Sequence, residues 1–292
     1  MMSHEPTEIV TTWLSDTDRR DILASFWSGA IAGVAVDVGL FPLDTVKTRL
    51  QSEHGFWKSG GVKGIYKGVG PTALGAAPAA ALFFGSYNTF KAVVEPHVQT
   101  LHGEFMVRMT AAAFAETISC VTRVPTEIVK QRRQALMDNK TSLKILTDTL
   151  RAEGFFGMYR GFWATVLRDA PFSVIQYPLW EFFKAHFNQQ DNPLGGAICG
   201  AVAGTIAGGI TTPLDVVKTR IMLHKCDPFL AVREDTVRFM AAKIFRDRGV
   251  LGFFAGFTPR CIWIFLGGIV YFGVYEKALI LYKEVAQRRD ES

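Results

Sequence analysis

The sequence predicts an all-α membrane protein of six kinked helices, arranged as three parallel repeats about an axis along the membrane normal. Two observations carry that prediction. The motif Pro-x-Asp/Glu-x-x-Lys-x-Arg occurs three times, as Pro42-Leu-Asp44-Thr-Val-Lys47-Thr-Arg49, Pro125-Thr-Glu127-Ile-Val-Lys130-Gln-Arg132 and Pro213-Leu-Asp215-Val-Val-Lys218-Thr-Arg220, at separations of 83 and 88 residues. The composition is also intermediate: charged residues make up 20% of 292 and mean hydropathy is +0.16. That is too apolar for an ordinary soluble protein and too charged for helices that face only lipid, so the helices should enclose a polar interior.

A second signature fixes the register. Gly64-Ile-Tyr66-Lys67-Gly68, Gly157-Met-Tyr159-Arg160-Gly161 and Gly252-Phe-Phe254-Ala255-Gly256 follow the three motifs. Twenty residues beyond the last glycine of each come Asn88, Glu181 and Glu276, each preceded by an aromatic, Tyr87, Trp180 and Tyr275. The repeats can therefore be compared position by position. A unit of roughly 95 residues overrides the length prior of about two domains and gives one domain, residues 22–286, with repeats of about 22–98, 104–189 and 193–286. A polar segment 1–21 and a short tail 287–292 flank it.

The apolar stretches Ile22 to Leu40, Gly70 to Phe84, Phe105 to Val124, Pro171 to Phe183, Pro193 to Thr211 and Cys261 to Tyr282 are the six candidate spans. Several fall short of the ~20 apolar residues that cross a bilayer, and they can be extended only through charged or proline-containing sequence. Kinked helices with polar inner faces follow. Pro42, Pro125 and Pro213 should bend the first helix of each repeat, and Pro78 and Pro171 the second. Gly29 and Gly33, and Gly196, Gly200, Gly204 and Gly208, recur at four-residue spacing that permits close helix contact. Lys47, Arg49, Lys58, Lys63 and Lys67 put the connection after the first span on the cytoplasm-like side. Residues 1–21 carry Glu5, Glu8, Asp16, Asp18 and Asp21 and lack both the basic character of a transit peptide and the apolar core of a secretory signal, so targeting is expected to reside in the rest of the chain.

Cys120, Cys199, Cys226 and Cys261 have no CxxC spacing and read as small buried hydrophobes; the six histidines form no pair at ligand spacing. Neither a metal site nor a cofactor is expected. There is no glycine-rich strand-to-helix loop and no acceptor-activating cluster, which argues against an enzyme.

Within each motif, acid and base stand three residues apart on one helical face, which alone would be worth about 0.2 to 0.5 kcal/mol. Three pseudo-symmetric copies permit more. Bent helices converging on the axis bring the acid of one repeat to the base of the next, pairing Asp44 with Lys130, Glu127 with Lys218 and Asp215 with Lys47. Each pair would have a Coulomb term of about 4 kcal/mol at an effective dielectric of 20, before desolvation is subtracted. Such a ring can hold a gate shut and still be broken by a ligand.

The triple motif with its aromatic-basic-Gly signature resembles the mitochondrial carrier family over nearly all of residues 22–286. The resemblance implies a six-helix barrel in the mitochondrial inner membrane, working as a monomer by alternating access, with cardiolipin as a lipid partner and no part for nucleic acid. It implies three short matrix helices, at about Gly60 to Gly64, Ser142 to Glu153 and Glu234 to Arg248, and makes the ring just described the matrix gate. It also implies a cytoplasmic gate of aromatic-acid-x-x-base on the even helices. Repeat 2 keeps this as Trp180-Glu181-Phe-Phe-Lys184, repeat 1 loses the acid at Tyr87-Asn88-Thr-Phe-Lys91, and repeat 3 loses the base at Tyr275-Glu276-Lys-Ala-Leu279. This second gate should be the weaker one.

Substrate contacts should lie where the repeats differ. Seven residues after the register glycines stand Gly75, Arg168 and Trp263, the last followed by Ile264; the family resemblance makes this a substrate contact point. Only repeat 2 places charge there, as Arg168-Asp169, a pair that is costly at membrane mid-depth and therefore functional by default. Arg168 can clasp an α-carboxylate through two hydrogen bonds while Asp169 accepts from an α-ammonium. Asp37 and Glu116 are further in-span acids without counterparts in the other repeats. Arg123 shares a helix with Glu116 and is also a candidate partner for Asp37 across the interior. Phe83, Phe84, Tyr177, Trp263 and Phe265 offer stacking surface.

The combined demand is an amino acid, a positive centre and an aromatic ring, which describes S-adenosylmethionine. The family resemblance, carried further by Gly33 to Asp37 through Gln51, Arg123 to Arg132, Arg168 to Ser173, Gln176 to Glu181 and Phe254 to Gly256, implies exchange of cytosolic S-adenosylmethionine for matrix S-adenosylhomocysteine. A carrier of another cationic or neutral amino acid or of a nucleotide is the alternative within transport; a membrane methyltransferase and a non-transporting receptor or scaffold are the alternatives outside it.

Overall fold

A computed structural model describes residues 28–29, 31–94, 97–98, 101–135, 140–188, 192–224 and 236–290, and these are helical or in turns, with no strand among them. The long elements are α1 (31–39), α2 (Phe41–Gln51), α4 (Val69–Val94), α5 (Leu101–Ala135), α7 (Phe162–His186), α8 (Pro193–Ile210), α9 (Thr212–Leu223) and α11 (Phe257–Asp290). Shorter helices connect them: α3 (Gly55–Lys58), α6 (Ser142–Gly157), α10 (Val237–Arg248) and a 3-10 turn, Val250–Phe254. Packing follows chain order, α4 on α5, α5 on α7, α7 on α8 and α8 on α11, and α11 returns to lie against α2.

The three motif prolines act differently. Pro42 and Pro213 occupy the first turns of new helices, α2 and α9, where a missing N–H costs nothing. The α8–α9 junction turns by 66°. Pro125 instead stays inside one continuous helix of 35 residues, α5. A glycine precedes the proline by three or four residues in repeats 1 and 3, as Gly39 and Gly209, and none does in repeat 2.

Of the six expected spans, Val69–Val94 and Val250–Tyr282 are long and apolar enough to cross a membrane, and the bent pair Leu194–Ile210 and Thr212–Leu223 passes together as a third. The helices α5 and α7 do not pass; α5 carries Glu116, Arg123, Glu127 and Lys130, and α7 carries Arg168, Asp169, Glu181 and Lys184. The first span, Ile22 to Leu40, lies partly outside the described residues.

The expected helix at Gly60 to Gly64 does not form. Gly60, Gly61 and Gly64 sit at φ of 109°, 54° and 62°, a left-handed conformation that ends a helix, so the helical turn lies earlier at Gly55–Lys58. The second short helix starts at Ser142 as expected, capped by the Thr141 hydroxyl accepting from the Lys144 N–H, and runs past Glu153 to Gly157 across a break at Gly154. The third begins at Val237; residues 234–235 lie outside the described residues.

Gly200, Gly204 and Gly208 line the face of α8 where α7 and α11 approach: an added Cβ at Gly204 would stand 3.2 Å from both Gln176 and Ile264. A Cβ added at Gly29 would meet Tyr271 at 3.3 Å, whereas one added at Gly33 would meet no other part of the described chain within 4 Å, so that position is not a close helix contact. The largest apolar cluster joins Val216, Val217 and Ile221 of α9 to Ala164 of α7 and Met240 and Ile244 of α10, locking a short helix onto the motif segment of repeat 3.

Candidate functional site

Where α2, α5 and α9 converge, three ion pairs join the repeats in a cycle. Lys130 meets Asp44 at 2.9 Å, Lys218 meets Glu127 at 2.7 Å and Lys47 meets Asp215 at 2.8 Å. In each, the acid of one repeat finds the base of the next. Side-chain amides support the carboxylates: Gln134 donates to Asp44 at 2.9 Å, Gln131 to Glu127 at 3.1 Å and Gln51 to Asp215 at 2.8 Å.

The motif arginines form a second cycle beneath the first. Arg49 donates to the Gln134 carbonyl at 2.9 Å, Arg132 to the Met222 carbonyl at 3.2 Å and Arg220 to the Gln51 carbonyl. All three are almost fully buried. A guanidinium can occupy such a place because it stays charged and spreads its donors over several carbonyls. Arg132 also reaches Glu153 of α6 at 2.7 Å, which ties a connecting helix to the ring.

Asp215 differs from the other two acids. Besides Lys47 it has Arg260 of α11 at 2.7 Å and Arg168 of α7 at 3.8 Å. Arg168 simultaneously holds Asp169 at 2.8 Å, and Asp169 is paired in turn with Arg123, which meets Glu116 at 2.5 Å. Nε of Arg168 and Nη1 of Arg260 meet these carboxylates as ion pairs out of line for a hydrogen bond. The result is an unbroken run of charges, Glu116, Arg123, Asp169, Arg168, Asp215 and Lys47. Its upper end lines a cavity of about 170 Å³ between α5 and α7, bounded by Glu116, Thr117, Asp169, Ser173 and Tyr177.

Arg168, Asp169, Glu116 and Arg123 are thus brought together, and the expected Asp37–Arg123 pair does not form because Arg123 is held by two other acids. Asp37, on α1, is half-buried, and among the described residues it has neither a hydrogen bond nor an ion pair. The nearest charges acting on it are Lys130 and Asp44. Glu116, Cys120 and Asp169 approach within 4.8 Å of one another, as metal ligands would. The guanidinium of Arg123 organises this group, pairing with both carboxylates and lying 3.7 Å from the Cys120 sulfur.

Gly75 and Ile264 serve helix packing instead of opening onto a cavity. Gly75 closes against Thr126 of α5, and Ile264 rests on Gly204 and Gly208 of α8. Phe83 stacks on Tyr87 and meets Phe84 edge-on, Phe84 is exposed, and Trp263 lines neither of the two cavities of this region. Tyr177 is the expected aromatic that does, bordering both the small cavity and a larger one of about 530 Å³ with Gln176, Trp180, Lys184 and Tyr271. At the other end of the even helices, Lys184 lies 4.7 Å above the Trp180 ring. Among the described residues, no two of Asn88, Lys91, Glu181, Lys184 and Glu276 form an ion pair with each other.

Outside the spans, Glu53 carries a separate network. Burial pushes its carboxyl up, but Lys243 at 2.6 Å, with His224 and Arg220, outweighs this and holds it below the ordinary carboxylate range.

Sequence reasoning missed Arg260 and the glutamines. The register held the signal: four residues after the last glycine stand Thr72, Thr165 and Arg260, and two after the motif arginine stand Gln51, Gln134 and Met222.

A threefold repeat whose charged motifs interlock around a central axis defines a membrane carrier. The chain belongs to the mitochondrial carrier family: the family model described as "Mitochondrial carrier protein" matches residues 18–56, 54–97, 102–191 and 189–285. It is accordingly a multi-pass protein of the mitochondrial inner membrane and a transporter, not an enzyme.

Its relatives narrow the comparison. The chain is 51% identical over 255 residues to the "S-adenosylmethionine mitochondrial carrier protein homolog" of Drosophila melanogaster, covering 85% of this chain and 89% of the relative. The "Mitochondrial S-adenosylmethionine carrier protein" of Danio rerio is 46% identical over 264 residues, 89% of this chain and 97% of the relative. The Mus musculus protein of that name is 44% identical over 275 residues, 93% and 99%.

Proposed function

We propose that the protein is an antiporter that imports S-adenosylmethionine into the matrix in exchange for S-adenosylhomocysteine, as a six-helix barrel working by alternating access. The observation that carries this reading is the position of Arg168, which faces Asp169 at the cavity and Asp215 at the ring with one guanidinium. A substrate α-carboxylate bound through two N–H groups of Arg168 draws its guanidinium away from the two aspartates. An α-ammonium taking a place on Asp169 loosens Arg123 in the same step. Cargo capture then weakens one corner of the matrix gate, formed by Asp44, Lys47, Glu127, Lys130, Asp215 and Lys218.

Only binding energy that differs between two states can shift them. A zwitterion that exchanges ion pairs with the gate meets that requirement, because each new contact replaces one that held the gate closed. With the matrix ring paired and the cytoplasmic residues Asn88, Lys91, Glu181, Lys184 and Glu276 apart, the arrangement is that of a carrier open to the cytoplasmic side. The names of the relatives support the cargo.

Liposomes containing the purified protein and preloaded with S-adenosylhomocysteine should take up labelled S-adenosylmethionine, and empty liposomes should not. No exchange, or equal exchange with ADP, would refute the assignment.

A further inference from the structure

We infer that Asp37 is the residue by which this protein distinguishes a methylated sulfonium from the neutral thioether. The inference rests on the substrate reading above and settles which of two acids meets the positive sulfur. The structure separates them by what already occupies each. Glu116 is neutralised by Arg123 at 2.5 Å, and Asp169, Asp44, Glu127 and Asp215 each have a cation within 3 Å. Asp37 has no such partner among the described residues; the other in-span acids that lack one, Glu181 and Glu276, stand at the far end of the even helices, away from Arg168 and the ring. A carboxylate left without a counter-charge inside a membrane protein is costly, and such residues mark ligand pathways.

Its place fits a cargo contact. Asp37 lies seven residues before Asp44, across the α1–α2 junction, and the charges that act on it are Lys130 and Asp44, one pair of the ring. In the register, five residues before the motif proline, the other repeats have Cys120 and Gly208. Cys120 is fully buried in a cluster with Val124, Ile128 and Met222 against which Phe162 and Val166 of α7 pack, and an added Cβ at Gly208 would collide with Ile264. Repeat 1 puts a carboxylate where the others pack tightly.

The α4 positions that correspond to Val166 and Asp169 are Ala73 and Ala76, both small and exposed. By the register, repeat 1 has small side chains where repeat 2 has Val166 and Asp169. The repeat 2 wall, with Arg168 and Asp169, holds the amino-acid end, and the repeat 1 wall holds the sulfur. A sulfonium has no N–H or O–H to donate, so it is recognised by an opposite charge or by an aromatic face, and S-adenosylhomocysteine, uncharged at sulfur, gains nothing from Asp37.

Asp37→Asn and Asp37→Glu, reconstituted beside the wild type, test this by uptake of both labelled molecules into liposomes preloaded with S-adenosylhomocysteine. In Asp37→Asn, uptake of S-adenosylmethionine should fall at least tenfold further than uptake of S-adenosylhomocysteine, about 1.4 kcal/mol of lost discrimination. Asp37→Glu should recover part of the ratio. Equal losses for both molecules would assign Asp37 to the gate or to folding, and no loss for either would remove it from the cargo path; either overturns the inference. Should Asp37→Asn not reconstitute, the two ligands' thermal stabilisation of Asp37→Glu against wild type reads the same ratio. A wild type that moves neither molecule would refute the substrate reading itself.

Discussion

The two ends of the molecule differ in how completely their charges are matched. At the matrix end three acids and three bases close a cycle at 2.7 to 2.9 Å, with an amide on each acid and a buried arginine on a carbonyl beneath. At the cytoplasmic end the same register supplies Asn88 for an acid and Leu279 for a base, so pairing each acid with the next repeat's base leaves one complete pair, Glu276 with Lys91. On the proposed mechanism, the difference teaches where the work of transport lies. Opening the matrix end would break well-made, poorly hydrated ion pairs, whereas closing the cytoplasmic end would gain little. Cargo would then supply the deficit through groups that exchange partners with the matrix ring.

The sharpest way to break that comparison is at Arg168, the link between cavity and ring. Arg168→Ala should lower exchange by about a hundredfold or more, as expected when one member of a buried charge pair is removed. Arg168→Lys keeps the charge but loses the paired donors of the guanidinium and should stay at least tenfold below wild type. Initial rates in preloaded liposomes measure both. Wild-type rates in Arg168→Lys would mean that charge alone suffices and that the two-handed exchange between Asp169 and Asp215 is wrong.

The next effect ranks the corners of the ring. Asp215→Asn would leave Lys47 and Arg260 facing a neutral amide, at a cost of about 3 to 5 kcal/mol, whereas Asp44→Asn deprives Lys130 alone. At about 2 to 4 °C per kcal/mol, the thermal midpoint in detergent should drop by roughly 10 °C in the first and by about half as much in the second. Equal drops would show that Arg260 does not single out the repeat 3 corner.

That corner also marks the limit of what the sequence could disclose. The register yielded the pairing rule of the ring, since symmetry lets an acid reach only the next repeat's base. It yielded Arg168 and Asp169 as well, because charge at membrane depth in one repeat of three needs a reason. It could not decide between Asp37 and Glu116 as the partner of Arg123, which depends on how α5 is turned relative to α1. Nor could it foresee that Gly75 and Ile264 would be spent on helix contacts. Arg260 was visible as a break in symmetry opposite Thr72 and Thr165, but its partner depends on how close α11 comes to α9. The short helix placed at Gly60 to Gly64 failed for a local reason, since three glycines in five residues prefer left-handed turns.

The smallest expected effect tests the cytoplasmic side directly. Asn88→Asp restores the missing acid and makes a further pair available when that end closes. A partly exposed pair of this kind is worth about 0.2 to 1 kcal/mol, a shift of roughly 1.5- to 5-fold between the two states. The shift should favour the matrix-open state, because the new pair forms only there, while the matrix ring of the other state is untouched. Labelling from the matrix side of a cysteine introduced beside Lys218 should therefore rise by that factor over the same cysteine in an otherwise unaltered chain. A double variant with Leu279→Lys should rise further, since the third base then completes the set. Unchanged labelling in both would mean that the cytoplasmic end closes without ion pairs, through Trp180 and its aromatic neighbours, and that unequal charge does not decide which end rests open.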